Sequence, residues 1–250
     1  MSLYLYAITH ADTPLPAVAG IDGAVVHQIS HASLAAIVSP LAHARLAPSP
    51  LHLWQHEVVI SAVLAHAPVL PVRFGTALTN HDDVQATLMH HAPQFLANLE
   101  EVRGCAELSL RVLWDVPAPS TEMPPIHNGR DYMLARLAQE QAQQAWRGHA
   151  DALIAELHAR LAPLCRAHHH RPLLTPRLLL TAAYLVEHGQ MRSFQYAVAQ
   201  LDADYPALSF ALTGPWAAYS FVQRLAPHPV SLITNTERLI PDTRHLTPDT

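Results

Sequence analysis

The sequence predicts an α+β protein of two small units, each a mainly antiparallel sheet with packed helices, joined by a proline-rich linker. Three observations carry this prediction. Short apolar runs of strand length alternate with helical stretches along the 250 residues. The helical stretches are too few to cover both faces of one large parallel sheet. Four prolines crowd the interval from Pro117 to Pro125, where neither periodicity holds. The expected boundaries are 1–116 for the first unit, 117–129 for the linker, 130–240 for the second unit with its long helix, and 241–250 for a mobile tail.

In order along the chain, residues 3–9, 24–30 and 34–39 read as three short strands. Gly20 and Gly23 mark the turn before the second, and Ser39-Pro40 ends the third. After Pro48-Ser49-Pro50 the spacing predicts a helix from Leu51 to Ala65, with Leu53, Val58, Val59 and Val63 near helical spacing. Val69 to Gly75 reads as a strand whose proline belongs at an edge or an end. Asn80 or Asp82 caps a predicted helix over 82–102, which Gly104 closes. From Glu107 to Asp115 the pattern alternates, with Leu108, Leu110, Val112 and Trp114 on one side. A long helix is expected over Asp131–Ala162, striped by Leu134, Leu137, Ala145, Leu153, Ile154, Leu157 and Leu161, with a kink or frayed point at Gly148. His168 to Pro172 reads as a loop, 178–187 as a strand, 192–201 as a helix and 208–212 as a strand.

Composition narrows the function classes. Half of the residues are hydrophobic and 14% are charged, ample for a core and unlike a disordered chain. The net charge of −5, with no basic block, argues against a nucleic-acid partner. No apolar run approaches the ~20 residues of a membrane span. Met1 to Ile8 reads as a first strand rather than a signal peptide, and Cys105 and Cys165 form no spacing motif, so a cytoplasmic protein with free thiols is expected. Histidine is the oddity. Protonating all 19 would carry the formal charge from −5 to +14, since 15 Lys and Arg and 19 imidazolium groups would then face 20 acids.

Chemical motifs are few. The chain has no glycine-rich phosphate loop, no Gly-x-Ser-x-Gly elbow and no telling Cys/His pair. It reads as a protein that is not an enzyme and carries no cofactor. His52 and His56 stand at i, i+4 on one helical face and are weak metal candidates, because Ile60 sits where a zincin motif needs its second histidine. Surface or interface pairing is the simpler reading. Cys105 reads as a small packing residue, and the other histidine clusters as solvated helix and loop residues. The string Thr213-Gly214-Pro215-Trp216-Ala217-Ala218-Tyr219-Ser220-Phe221 is the most distinctive. Trp216, Tyr219 and Phe221 put three large rings within six residues, a stretch that must pack in the fold or against a partner.

Strings spread over most of the chain resemble the gas vesicle GvpL/GvpF family. They are Tyr4-Leu5-Tyr6, the run from Leu34 to Ser39, His56-Glu57-Val58-Val59, the run from Val69 to Thr76, Gly129-Arg130 with Tyr132, the run from Ala183 to Val186, and Thr213-Gly214-Pro215-Trp216 with Tyr219-Ser220-Phe221. The chain departs from the family at Ala217-Ala218, where two prolines are usual. Alanine there relaxes φ and restores two amide donors.

The resemblance implies two domains of ferredoxin-like α+β character. It implies an accessory or minor structural protein of gas vesicle formation, located with the vesicle or in the cytoplasm. The partner so implied is the hydrophobic shell protein GvpA, along with other gas vesicle accessory proteins. Candidate partner-binding residues are Arg73, Phe74, Trp216, Tyr219 and Phe221. For Arg73 an ion pair with Glu57 or Glu107 is favoured over a partner contact. The alternative function, from another class, is a His-rich metal-binding sensor or metal-dependent enzyme.

Overall fold

The structure, a computed structural model, describes residues 2–42, 46–116, 118–120, 128–171, 175 and 177–222. It has two antiparallel sheets with packed helices, as the fold class predicts. In the first sheet β1 (Leu3–His10) is central. It pairs on one side with β3 (Leu34–Pro40), which pairs in turn with β2 (His27–His31). On its other side lie two short strands, β4 (Leu70–Pro71) and β5 (Ala77–Leu78). A register shift between Leu5 and Ala7 inserts one residue into β1. Tyr4, Tyr6 and Ala7 therefore share one core, while Leu3, Leu5 and Ile8 share the other.

Helix α1 (Pro50–Leu64) covers the tyrosine face through Val59, Ile60 and Val63. Ser49 caps it by accepting from the His52 amide, and Pro50 stands at its first position, where a missing N–H costs nothing. The opposite face packs on α2 (His81–His90) and α3 (Ala92–Glu101) through Val84, Leu88, Phe95 and Leu99. Asn80 caps α2, accepting from the Asp83 amide. The single helix expected over 82–102 is thus two helices. Pro93 in the first turn of α3 has no amide to continue α2, so the chain restarts at His91.

The second sheet has the order β7 (Ala167–Arg171), β8 (Leu178–Glu187), β6 (Cys105–Trp114), β9 (Leu208–Trp216). Helices α4 (Gly129–Leu161) and α5 (Met191–Asp204) cover one face. The core there includes Leu108, Leu110, Val112 and Trp114, the alternating set read from sequence, with Ile154, Leu157 and Leu161 of α4. The other face reaches into the first core through Ala183 and Leu185. One continuous apolar cluster therefore spans both sheets.

Several expectations are corrected. β6 lies inside the first sequence unit drawn at 1–116 but sits in the second sheet between β8 and β9, because strand pairing over a long sequence separation leaves no local mark. The strand expected over 69–75 is regular only at Leu70–Pro71; the Val72 amide donates once more to the Tyr6 carbonyl before the chain turns at Gly75, φ 84°. His168–Arg171 is strand, not loop, because β8 offers a ten-residue ladder for its backbone groups. α4 runs through Gly148 as one helix, and its expected stripe is half exposed: Leu134, Leu137 and Ala145 face solvent, whereas Ile154, Leu157 and Leu161 are buried. Linker residues 117 and 121–127 and the expected tail at 241–250 lie outside the described residues.

Candidate functional site

Trp216, Tyr219 and Phe221 lie where the chain leaves the second sheet and crosses to the first. β9 ends in a bulge. Thr213 pairs opposite Ser109 and Trp216 opposite Glu107, with Gly214 and a cis-linked Pro215 in the extra span. Gly214 has φ 121°, and a Cβ there would meet the Glu107 carbonyl oxygen at 2.7 Å. Glycine is the residue that tolerates both constraints.

Past Trp216 the chain is pinned to both sheets. Ala217 is 1% exposed and packs with Tyr4, Tyr6 and the half-buried Phe74 against α1. Ala218 and Phe221 enter the cluster that spans the two sheets, and the Phe221 ring lies 4.9 Å from that of His169. Between them stand two polar ties. The Tyr219 hydroxyl donates to Glu57 Oε2 on α1 at 3.0 Å. The Ser220 amide and hydroxyl each donate to the carboxylate of Glu107 on β6 at 2.8 Å. Burial pushes both carboxyls above the usual glutamate range, and in Glu107 it outweighs the two Ser220 hydrogen bonds that act the other way. The Tyr219 phenol is pushed up by burial and by the Glu57 charge. Trp216 and Tyr219 each remain 38% exposed, whereas Phe221 is buried. The three rings are therefore divided: one is core, and two stay partly exposed on a fixed backbone.

The loop carrying Arg73 and Phe74 is pinned next to this segment by His56. Its Nε2 lies 3.1 Å from the Val72 carbonyl, which can only accept, so Nε2 carries the proton and donates. Nδ1 then accepts from the Tyr4 hydroxyl at 3.0 Å, and that hydroxyl accepts from the Gly75 amide at 3.1 Å. Rings of Tyr4, Tyr6 and Phe74 surround the imidazole. Burial lowers the His56 pKa to about 4, so it is neutral at pH 7. His52 is spent differently, with Nδ1 on the Ala47 carbonyl and Nε2 on Asp22. All four ring nitrogens of the i, i+4 pair thus engage protein partners. Among the described residues, no group of three His, Cys, Asp or Glu side chains is arranged to hold a metal ion.

Arg73 departs from expectation. It is exposed, and among the described residues neither Glu57 nor Glu107 pairs with it. Those two carboxylates instead hold the aromatic segment, from 162 and 113 positions away. Their importance was visible in sequence only as acids without a clear role. His168 is exposed, as a solvated residue would be, but it stands on β7 rather than in a loop, with its ring 3.9 Å from that of His158 on α4. Cys105 is buried in the core that spans the sheets, where burial raises its thiol pKa. A separate open cleft of about 560 Å³ lies away from the junction, lined by His10, Asp12, Ser33, His66 and Arg103 among others. No described helix is long and apolar enough to cross a membrane.

The family profile described as gas vesicle synthesis protein GvpL/GvpF matches residues 2–223. Gas vesicle protein L of a Streptomyces species is 31% identical over 246 residues, covering 87% of this chain and 91% of its own length. Gas vesicle protein F2 of Halobacterium salinarum is 28% identical over 225 residues, covering 88% and 91%. The crystal structure of GvpF from Anabaena superposes with a TM-score of 0.77 at 20% identity, covering 91% of this chain and 98% of that one. GvpF from Microcystis aeruginosa superposes at 0.74 and 21% identity, covering 89% and 99%. These two likenesses speak to the fold.

Proposed function

We propose, from the premise that this chain belongs to the GvpL/GvpF family of gas vesicle synthesis proteins and serves gas vesicle formation, that it binds the hydrophobic shell protein GvpA and limits its aggregation during nucleation. The physical need is plain. A wall that encloses gas needs an apolar inner face, so its subunit carries exposed apolar surface and strand edges before it assembles. A factor that covers such surface reversibly keeps the subunit available.

The observation that supports this reading is the division of the aromatic segment. Trp216 and Tyr219 are held half-exposed by a backbone tied to Glu57, Glu107 and two cores. Rings fixed in this way offer apolar contact area at little further cost in side-chain entropy. Phe74 and Arg73, on the adjoining loop pinned by His56, extend the same surface. Phe221 serves it from within, as the buried anchor.

The test is capture of GvpA by this chain and by its Trp216→Ala variant, alongside vesicle formation in cells carrying each. A folded variant that no longer retains GvpA assigns the ring to the interface. Retention of GvpA by neither chain at micromolar concentration, with vesicles still forming after deletion of the coding gene, overturns the proposal.

A further inference from the structure

We infer that the outer edge of β9 is a docking strand, on which an extended, uncharged segment of the shell subunit adds as a fifth strand of the second sheet. The inference deepens the proposed function and rests on it for the identity of the partner. The edge itself comes from the topology. β9 is terminal in the order β7-β8-β6-β9, and among the described residues only β6 pairs with it. Its outward backbone donors and acceptors are of the kind that another extended backbone satisfies.

Every other sheet edge is short or guarded. β7 is five residues long and reads Ala-His-His-His-Arg, and β2 has a histidine at each end. β4 and β5 are two residues each. β9 is nine residues long and contains no Asp, Glu, Lys, Arg or His. Charges, prolines and bulges are the usual protections of an exposed edge against unwanted pairing; β9 has its proline and bulge only past Thr213, so the stretch before them is left open to a partner strand. Pro215 has no N–H, which confines the usable ladder to Leu208–Thr213, about 20 Å at about 3.4 Å per residue.

The surroundings choose the occupant. Ser209, Ala211 and Thr213 are exposed on the face away from α5, while Phe210 and Leu212 pack on the second core. Arg111, opposite Ala211, lies one strand inward, and Leu113, opposite Ser209, is exposed. A strand seated on this edge meets no counter-charge along it, so its pairing residues must be uncharged. Trp216 stands at the far end of the same strand and closes the contact.

The test uses the full chain, its Ser209→Lys/Thr213→Lys variant, whose cross-strand neighbours Leu113 and Ser109 are uncharged, and purified GvpA as the probe. Both substitutions fall on exposed side chains, so the variant should melt with the parent. The expected results are hydrogen-exchange protection of the 208–216 amides in the parent on adding GvpA, and at least tenfold weaker binding by the variant. Equal binding by both chains without protection of 208–216 overturns the edge assignment and leaves the assembly role standing. Absence of GvpA binding by the parent overturns both. Protection of 208–216 that grows with the concentration of this chain alone, without GvpA, makes a second copy the occupant and also overturns the inference.

Discussion

Replacing His56 with glutamine should remove a defined part of the acid sensitivity of this fold. His56 is 3% exposed and held neutral by the Val72 carbonyl and the Tyr4 hydroxyl, with its pKa lowered from 6.5 to about 4. The unfolded chain takes up a proton as pH falls below about 6.5, and the folded chain resists until about 4, so stability is lost across that window as pH falls. At about 1.4 kcal/mol per pH unit of difference, the full loss is about 3 kcal/mol, of which about 2 kcal/mol appears between pH 7 and 5. Glu57 and Glu107, with pKa values raised by burial, act with the opposite sign, because protonation on acidification favours the fold. Both carboxyls are common to parent and variant and cancel in the difference. Urea unfolding of both proteins at pH 7, 6 and 5 measures it. The parent should lose about 2 kcal/mol relative to His56→Gln over this range. Parallel stability curves, differing by a constant to within about 0.5 kcal/mol, would refute the buried neutral assignment.

Three further substitutions probe the junction. Gly214→Ala forces a Cβ to within 2.7 Å of the Glu107 carbonyl oxygen at φ 121°, and should cost about 2 kcal/mol or more in denaturant unfolding. Arg73→Ala should leave the melting curve unchanged to within about 0.5 kcal/mol, as for other exposed side chains, and any loss it causes should appear in partner binding. Tyr219→Phe removes the hydroxyl that donates to Glu57 Oε2 and leaves that partly buried carboxylate with the Ser61 hydroxyl as its remaining side-chain contact among the described residues. It should cost about 1–2 kcal/mol at pH 7, less at pH 4, and a pH-independent cost would count against the tie.

Legibility in the sequence followed the range of the interaction. The alternation from Leu108 to Trp114 placed four side chains in one core correctly, because a period of two is written locally. The ends of α1 and α4 were close to expectation for the same reason, each with a capping side chain in Ser49 or Asn128. The partners of β6 were not legible, since pairing with β8 and β9 is decided by the whole sheet. Nor was the histidine-rich β7, whose edge position tolerates side chains that look like a loop. The aromatic segment stood out at once, but which ring turns inward depended on Glu57 and Glu107, remote acids whose hydrogen bonds fix Tyr219 and Ser220. The alanines at 217 and 218 also changed meaning. They are buried packing positions, one in each core that flanks the first sheet.

The central claim is that this chain shields a shell subunit before assembly. Light scattering of GvpA brought out of denaturant, with and without this chain at equal concentration, tests it most directly. The account predicts suppressed or delayed scattering with the parent and weaker suppression with Trp216→Ala. Identical scattering traces with and without the parent would contradict it.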